Sequence, residues 1–172
     1  MALDPKRPAE SATVMTQYIL PSDANPLNAA FGGRVLEWID VCGGIAAGRH
    51  CRNAVVTASL DELHFHAGIK VGWVVTLRSR VLATFKSSME VGVMVTAENP
   101  LTGEHHLTTS ALTTFVALNT NGGRALVPPL LLETPAEKAA SEAAHARRKA
   151  RLERKGKVAE WTQLLDGGKP PG

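Results

Sequence analysis

The chain has 172 residues, of which 44% are hydrophobic and 20% charged, with two cysteines and a formal net charge of +3. That length suits one domain with a short appendage, able to bury most of the apolar surface its unfolded form exposes, and the composition excludes a disordered or collagen-like chain. No apolar run of 18 residues and no secretory leader pattern is present, so neither a membrane span nor export is expected and the cytoplasm is the expected location.

The first twelve residues, MALDPKRPAESA, are polar and proline-containing and read as a flexible arm. Residues 13–20, TVMTQYIL, carry the β-branched and aromatic side chains of a first strand, which Pro21 stops. After the loop PSDANPLNAAFGG, the segment RVLEWIDVCGGIAAGRHC sets Val35, Ile39, Cys42 and Ala46 at helical spacing. Trp38, Val41 and Ile45 make the opposite side apolar as well, and a helix apolar nearly all round is expected to be buried. Its narrow polar gap holds Glu37, Asp40 and Gly44. Gly43 and Gly44 each cost about 1 kcal/mol relative to Ala inside a helix, so a sheet wrapped tightly around them is expected in compensation. Cys42 and Cys51 stand too far apart along such a helix for a disulfide and read as free thiols.

Four long segments follow: AVVTASLDELHF, VVTLRSRVLATF, SMEVGVMVTAE and HHLTTSALTTFVALN. They are rich in Val, Thr, Leu and Phe, and AGIKVG, FKSS and NPLTG separate them, the last two in the manner of hairpin turns. Short turns between neighbouring strands predict an antiparallel meander, because parallel strands need crossovers of about a dozen residues. One buried helix against one antiparallel sheet is an α+β arrangement.

RALVPPL is extended, since its prolines forbid a helix. An exposed helix is predicted from Pro135 to about Leu165, begun at Thr134, with DGGKPPG as a frayed end. From Thr134 onward nine Lys or Arg face five Asp or Glu, so this stretch is basic and the body before it close to neutral. Such a face attracts nucleic acid, attracts the phosphates of a small anionic molecule, or stays solvated. The solvated reading is the expectation, and with aromatic residues at only 5% a nucleic-acid partner is not expected. The chain thus divides into a flexible arm (1–12), a folded domain (13–133) and a basic C-terminal helix and tail (134–172).

Asp40 is the sharpest chemical signal, because a carboxylate midway along an apolar helix must be solvated, paired or put to use. Burial would raise its pKa toward the range of a general base near neutrality; the competing reading is an ion pair with Arg34 or Arg80, or a bond to neighbouring backbone. Gly32 and Gly33 precede the helix, so their N–H groups would lie at its N-terminus, where unpaired donors favour a developing oxyanion. The same pair of glycines also serves an ordinary tight turn.

The string DANPLNAAFGGRVLEWIDVCGGIAA, with its pattern N-x(5)-FGG-x(6)-D-x-x-GG, resembles the acyl-CoA hydrolase type of hotdog-fold thioesterase, which has bacterial and animal cytosolic members. Further matches follow in unbroken order: VVTASLDELHF and IKVG, TFKSSMEVGV, LTTFVALN and RALVPPL, covering about Tyr18 to Leu130. The resemblance implies a sheet curled round the central helix, a homodimer with a continuous sheet and active sites at the subunit boundary, and a trimer of dimers. It implies that Asp40 acts as general base or nucleophile and that Asn25 positions the water or thioester, the two not necessarily from one subunit. Gly32 and Gly33 match the oxyanion-stabilising turn, and Lys86, Ser87 and Ser88 match a turn placed near coenzyme A phosphates, where an ordinary hairpin is the alternative. Members of the family often carry Gly followed by Asp or Asn just before the aromatic-Gly-Gly triplet, whereas Asn28, Ala29 and Ala30 stand here.

His64, His66, His105 and His106 could be imagined as a metal cluster, but no Cys or carboxylate stands at zinc-ligand spacing beside them and no metal is expected. HFHAG resembles the HF motif of hotdog dehydratases, which there precedes the central helix and here follows it. The sequence contains no GxSxG elbow, P-loop or dinucleotide fingerprint. The expected function is therefore hydrolysis of acyl-CoA to free fatty acid and coenzyme A, with coenzyme A as part of the substrate and no separate cofactor. The alternative is a non-catalytic acyl-CoA-binding module with a partner-binding C-terminal helix.

Overall fold

The computed structural model describes residues 3–154. The elements in chain order are β1 (Thr13–Tyr18), α1 (Gly32–Cys51), β2 (Ala54–Phe65), β3 (Val74–Thr84), β4 (Ser88–Glu98), β5 (His105–Leu118) and α2 (Pro135–Arg154), with single 3-10 turns at Pro8–Ser11 and Pro21–Asp23. The five strands form one antiparallel sheet in the order β1-β3-β4-β5-β2. Helix α1 touches every strand, so the sheet wraps it. This is the α+β hotdog architecture with an added C-terminal helix.

The close wrapping is visible at Gly43. A Cβ there would lie 3.0 Å from the ring of Phe115 on β5, while one at Gly44 would lie 3.6 Å away. Gly43 therefore lets the sheet approach the helix closely, and that packing offsets its low helix propensity, whereas Gly44 has room for a methyl. Val35, Ile39, Cys42 and Ala46 of α1 meet Leu77, Val91, Val93 and Phe115 in one core. Cys42 and Cys51 are free and buried.

Strand order corrects the expected meander. β3, β4 and β5 do follow one another through turns at Phe85–Ser87 and Asn99–Glu104, but β2 pairs with β5 at the far edge and not with β3. The connection between β2 and β3 spans eight residues and forms no pairing turn. Instead Ile19 donates to the Trp73 carbonyl and Gly72 to the Ile19 carbonyl, both at 2.9 Å, which seats β3 beside β1.

Helix α1 is buried on one side only. Val41 and Ile45 are 47% and 38% exposed in the protomer, against the expectation of burial all round. Helical spacing reports that both faces are apolar but not that one of them waits beside the open edge of β2.

Residues 3–12 are not a free arm. Lys6 N–H donates to the Pro129 carbonyl at 2.9 Å, Leu131 N–H donates to the Lys6 carbonyl at 2.8 Å, and Pro8 and Ser11 are buried. The extended proline segment offers backbone groups that no sheet partner uses, and the arm takes them. Lys6 Nζ adds a bond of 2.8 Å to the carbonyl of His50 at the end of α1.

Helix α2 begins as expected at Thr134. Its hydroxyl accepts from Glu137 N–H at 3.2 Å and Glu137 Oε2 accepts from Thr134 N–H at 3.1 Å, a reciprocal cap. These backbone bonds hold the Glu137 carboxyl below its usual pKa. Ser141 and Ala144 are buried where α2 lies on β3, and Arg147 meets the fully buried Glu90 at 2.5 Å. The expected continuation to Leu165 and the frayed end lie outside the described residues. No helix among the described residues is long and apolar enough to cross a membrane.

Candidate active site

Ahead of the helix, Asn25 organises its loop: its Oδ1 accepts from the backbone of Leu27 at 2.9 Å and of Ala29 at 3.3 Å. Asn28, which occupies the place where the family pattern departs, takes positive φ (58°), a conformation Asn tolerates better than most residues. Asp23 is buried and accepts from Leu20 N–H and from Arg34 Nε, 2.9 Å away. Arg34, followed by the Leu20 amide, holds the Asp23 carboxyl below the usual carboxylate range.

Phe31 stands at the N-cap of α1 without a capping side chain. The N–H groups of Gly32 and Gly33 have no backbone acceptor among the described residues, as the first turn of a helix requires. Gly32 borders a cavity of about 320 Å³ between Ala30, Val35, Phe65, His66 and Ile69. The helix dipole and these open donors favour negative charge there.

Asp40 lies further along α1 and is exposed in the protomer. The hydroxyl of Thr57 on β2 donates to its Oδ1. Neither suggested ion pair forms: Arg34 is engaged by Asp23 and by Glu37 at 2.7 Å, and Arg80 lies 3.9 Å from Glu137. Thr57 was missed by sequence reasoning. Its signal is faint, a hydroxyl near the start of the strand that follows the helix.

The site residues are not all together in one protomer. At 1.5 Å per residue, the eight positions from Gly32 to Asp40 amount to about 12 Å along the helix axis, too far for one carbonyl carbon to face both. The Lys86, Ser87 and Ser88 turn sits elsewhere again, at the end of the β3–β4 hairpin. It lines a second cavity of about 730 Å³ on the α2 side of the sheet, next to Ser59 and Asp61 of β2. His64 and His66 stack at 6.2 Å between centroids. Among the described residues no three His, Cys, Asp or Glu side chains gather as a metal site.

Residues 27–104 match the thioesterase superfamily model. The chain is 38% identical over 161 residues to the uncharacterized acyl-CoA thioester hydrolase YkhA of Bacillus subtilis, covering 94% of each chain. It is 34% identical over 137 residues to the human cytosolic acyl coenzyme A thioester hydrolase, spanning 36% of that longer protein. Among solved structures, an apo-hexameric acyl-CoA thioesterase superposes with TM-score 0.84 at 39% identity, over 88% of this chain and 97% of the other. The acyl-CoA hydrolase of Staphylococcus aureus, in complex with butyryl coenzyme A, coenzyme A and coenzyme A disulfide, gives TM-score 0.84 at 30% identity over 94% and 98%. With a relative this similar along nearly its whole length, the chain belongs to the acyl-CoA thioester hydrolases of the thioesterase superfamily.

Proposed function

We propose that this protein is an acyl-CoA thioesterase, in which Asp40 serves as general base or nucleophile, Asn25 positions the water or the thioester, and the Gly32 and Gly33 amides receive the oxyanion. As a base, Asp40 takes a proton from water as the oxygen attacks the acyl carbon. The tetrahedral oxyanion is held by the open amides, and its collapse expels the thiolate of coenzyme A. The reaction consumes only water and thioester, so it calls for no separate cofactor.

The observation that carries this reading is Asp40 itself, an exposed carboxylate on the apolar outer face of α1, bonded by Thr57 and bound to no cation among the described residues. The Staphylococcus aureus enzyme has been studied with an Asn, an Asp and a Thr each replaced by Ala, fifteen and then seventeen positions apart. Asn25, Asp40 and Thr57 have that same spacing.

The 12 Å between amides and carboxylate leads to a dimer. β2 is an edge strand twelve residues long, with Val56 and Leu60 exposed on it and Val41 and Ile45 exposed on α1 beside it. Pairing of β2 with its copy covers these apolar groups and continues the sheet, and brings the helix N-terminus of one subunit toward Asp40 of the other. The hexameric relative supports a trimer of such dimers, and the cytosolic relative supports a cytoplasmic setting.

The test is thiol release from acetyl-, butyryl- and palmitoyl-coenzyme A. Asp40→Ala is expected to lower turnover by about 10²-fold or more while circular dichroism stays unchanged. Undiminished turnover in that variant removes Asp40 from the mechanism, and wild-type protein that binds but never cleaves any of the three is a binding module.

A further inference from the structure

Asp23 is the only buried residue between Leu20 and Phe31, the stretch that carries Asn25 to the start of α1. Pro26, Leu27 and Asn28 are exposed, so no apolar core holds this loop in place. Hydrogen bonds hold it, and Asp23 accepts three of them. Its Oδ2 accepts from Leu20 N–H at 3.0 Å, its Oδ1 from Arg34 Nε at 2.9 Å, and its carbonyl from Phe31 N–H at 2.8 Å. The loop is thus closed at its neck, between the residue two before Asn25 and the residue just before Gly32. Arg34 is fixed in turn: it follows Gly33 in the first turn of α1, and its Nη1 donates to Glu37 Oε2 at 2.7 Å.

A packed apolar side chain would pin a loop as firmly, because a buried ion pair is seldom the more stabilising choice. What the charged pair adds is direction. Guanidinium N–H groups point along fixed lines, so the Asp23 bond to Arg34 sets the angle and distance of the loop relative to the helix and not only its attachment. Two parts of the proposed machinery stand on either side of that joint. On the loop is Asn25, whose Oδ1 is taken by the Leu27 and Ala29 amides and whose Nδ2 is left for substrate. On the helix are the open Gly32 and Gly33 N–H groups. Turnover is sensitive to such a joint, since a displacement of about 1 Å in a positioning group can cost about 10²-fold.

We infer that Asp23 is a positioning residue of the thioesterase reaction: bonded to Arg34 and to the Phe31 amide, it sets where Asn25 stands relative to the Gly32 and Gly33 amides. The inference rests on the thioesterase reading for its chemistry, and on Asn25 as the residue through which Asp23 acts.

The test compares Asp23→Asn, Arg34→Gln and the double variant, with butyryl-coenzyme A as substrate and melting curves as the folding control. Asp23→Asn keeps the size of the side chain but turns an N–H donor against either Arg34 or the Leu20 amide. Each single substitution is expected to lower kcat about tenfold, as loss of one charge-assisted bond does, with KM changed less than about twofold. The double variant is expected to fall no further than the worse of the two, because both residues serve one bond. Placed in Asn25→Asp, which lacks the Nδ2 donor, Asp23→Asn is expected to cost less than about twofold in the remaining kcat. Hydrogen exchange read by mass spectrometry is independent of turnover: in Asp23→Asn, residues 20–33 are expected to exchange faster while the strands keep their protection. An undiminished kcat in Asp23→Asn, an equal loss with and without the Asn25 donor, or unaltered exchange over 20–33 overturns the inference. Should no thioester be cleaved by the wild type, the thioesterase reading fails by itself, and the exchange arm still decides whether Asp23 fixes the loop.

Discussion

The hydroxyl of Thr57 donates a hydrogen bond to Asp40 Oδ1, joining the edge strand to the central helix at the carboxylate proposed to do the chemistry. One carboxylate oxygen is thereby held and the other left to face a substrate, so Thr57 is a positioning residue. Thr57→Ala is expected to lower kcat by about tenfold or more with little change in KM, since a hydrogen bond to a charged group is worth roughly that factor. Thr57→Ser, which keeps the hydroxyl, is expected to recover most of the loss; equal loss in both variants would assign Thr57 to packing alone.

Asn25 has two separable tasks. Its Oδ1 already accepts two backbone amides of its own loop, so any contact with substrate falls to Nδ2. Asn25→Asp preserves the acceptor and removes the donor. It is expected to melt close to the wild type yet to lose most of its turnover, whereas Asn25→Ala is expected to lose both. A fully active Asp variant would confine Asn25 to shaping the loop.

The helix glycines allow a test of close packing. A methyl at Gly43 would press on a core ring at 3.0 Å, whereas one at Gly44 would meet the same ring at an ordinary 3.6 Å. Overpacking costs about 1–3 kcal/mol and outweighs the roughly 1 kcal/mol that Ala gains in helix propensity. Gly43→Ala is therefore expected to destabilise and Gly44→Ala to stabilise modestly, measured by urea unfolding. The reverse order would contradict the packing.

His50 is fully buried, its Nε2 2.9 Å from the Pro128 carbonyl and its Nδ1 without a partner among the described residues. Burial lowers its pKa below the ordinary imidazole value, outweighing the Pro128 bond, which acts the other way. The unfolded chain therefore binds a proton at His50 before the folded one does. Stability from this group is complete above about pH 6.5 and is lost as pH falls below it toward the depressed folded pKa. Wild type is expected to lose stability more steeply between pH 7.5 and 5 than His50→Gln, which keeps a donor for Pro128 without titrating. Parallel pH profiles would refute this.

The central helix, its glycine contact with the sheet and the cap at Thr134 were legible because each depends on local spacing. What failed depends on tertiary partners. The 66–73 connection has turn-forming residues, but which strands it separates in space is fixed by Ile19 and Trp73 pairing at a distance. Lys6 gives no sign in its own neighbourhood that it will meet Pro129. Asp40, Asn25 and the two glycines could be named from the pattern around α1, but their separation along the helix follows only from geometry. Thr57 is one hydroxyl among many in threonine-rich strands, and only the fold sets it beside Asp40.

The spacing between the helix N-terminus and Asp40 has a kinetic corollary under the proposed mechanism. If neither chain alone holds a complete set of catalytic groups, specific activity is not an intrinsic constant of the polypeptide but tracks how much of it is associated. Dilution below the dissociation constant of the β2 contact would extinguish turnover without unfolding anything. Two inactive variants, one altered at Asp40 and the other at Asn25, would regain part of their activity when mixed.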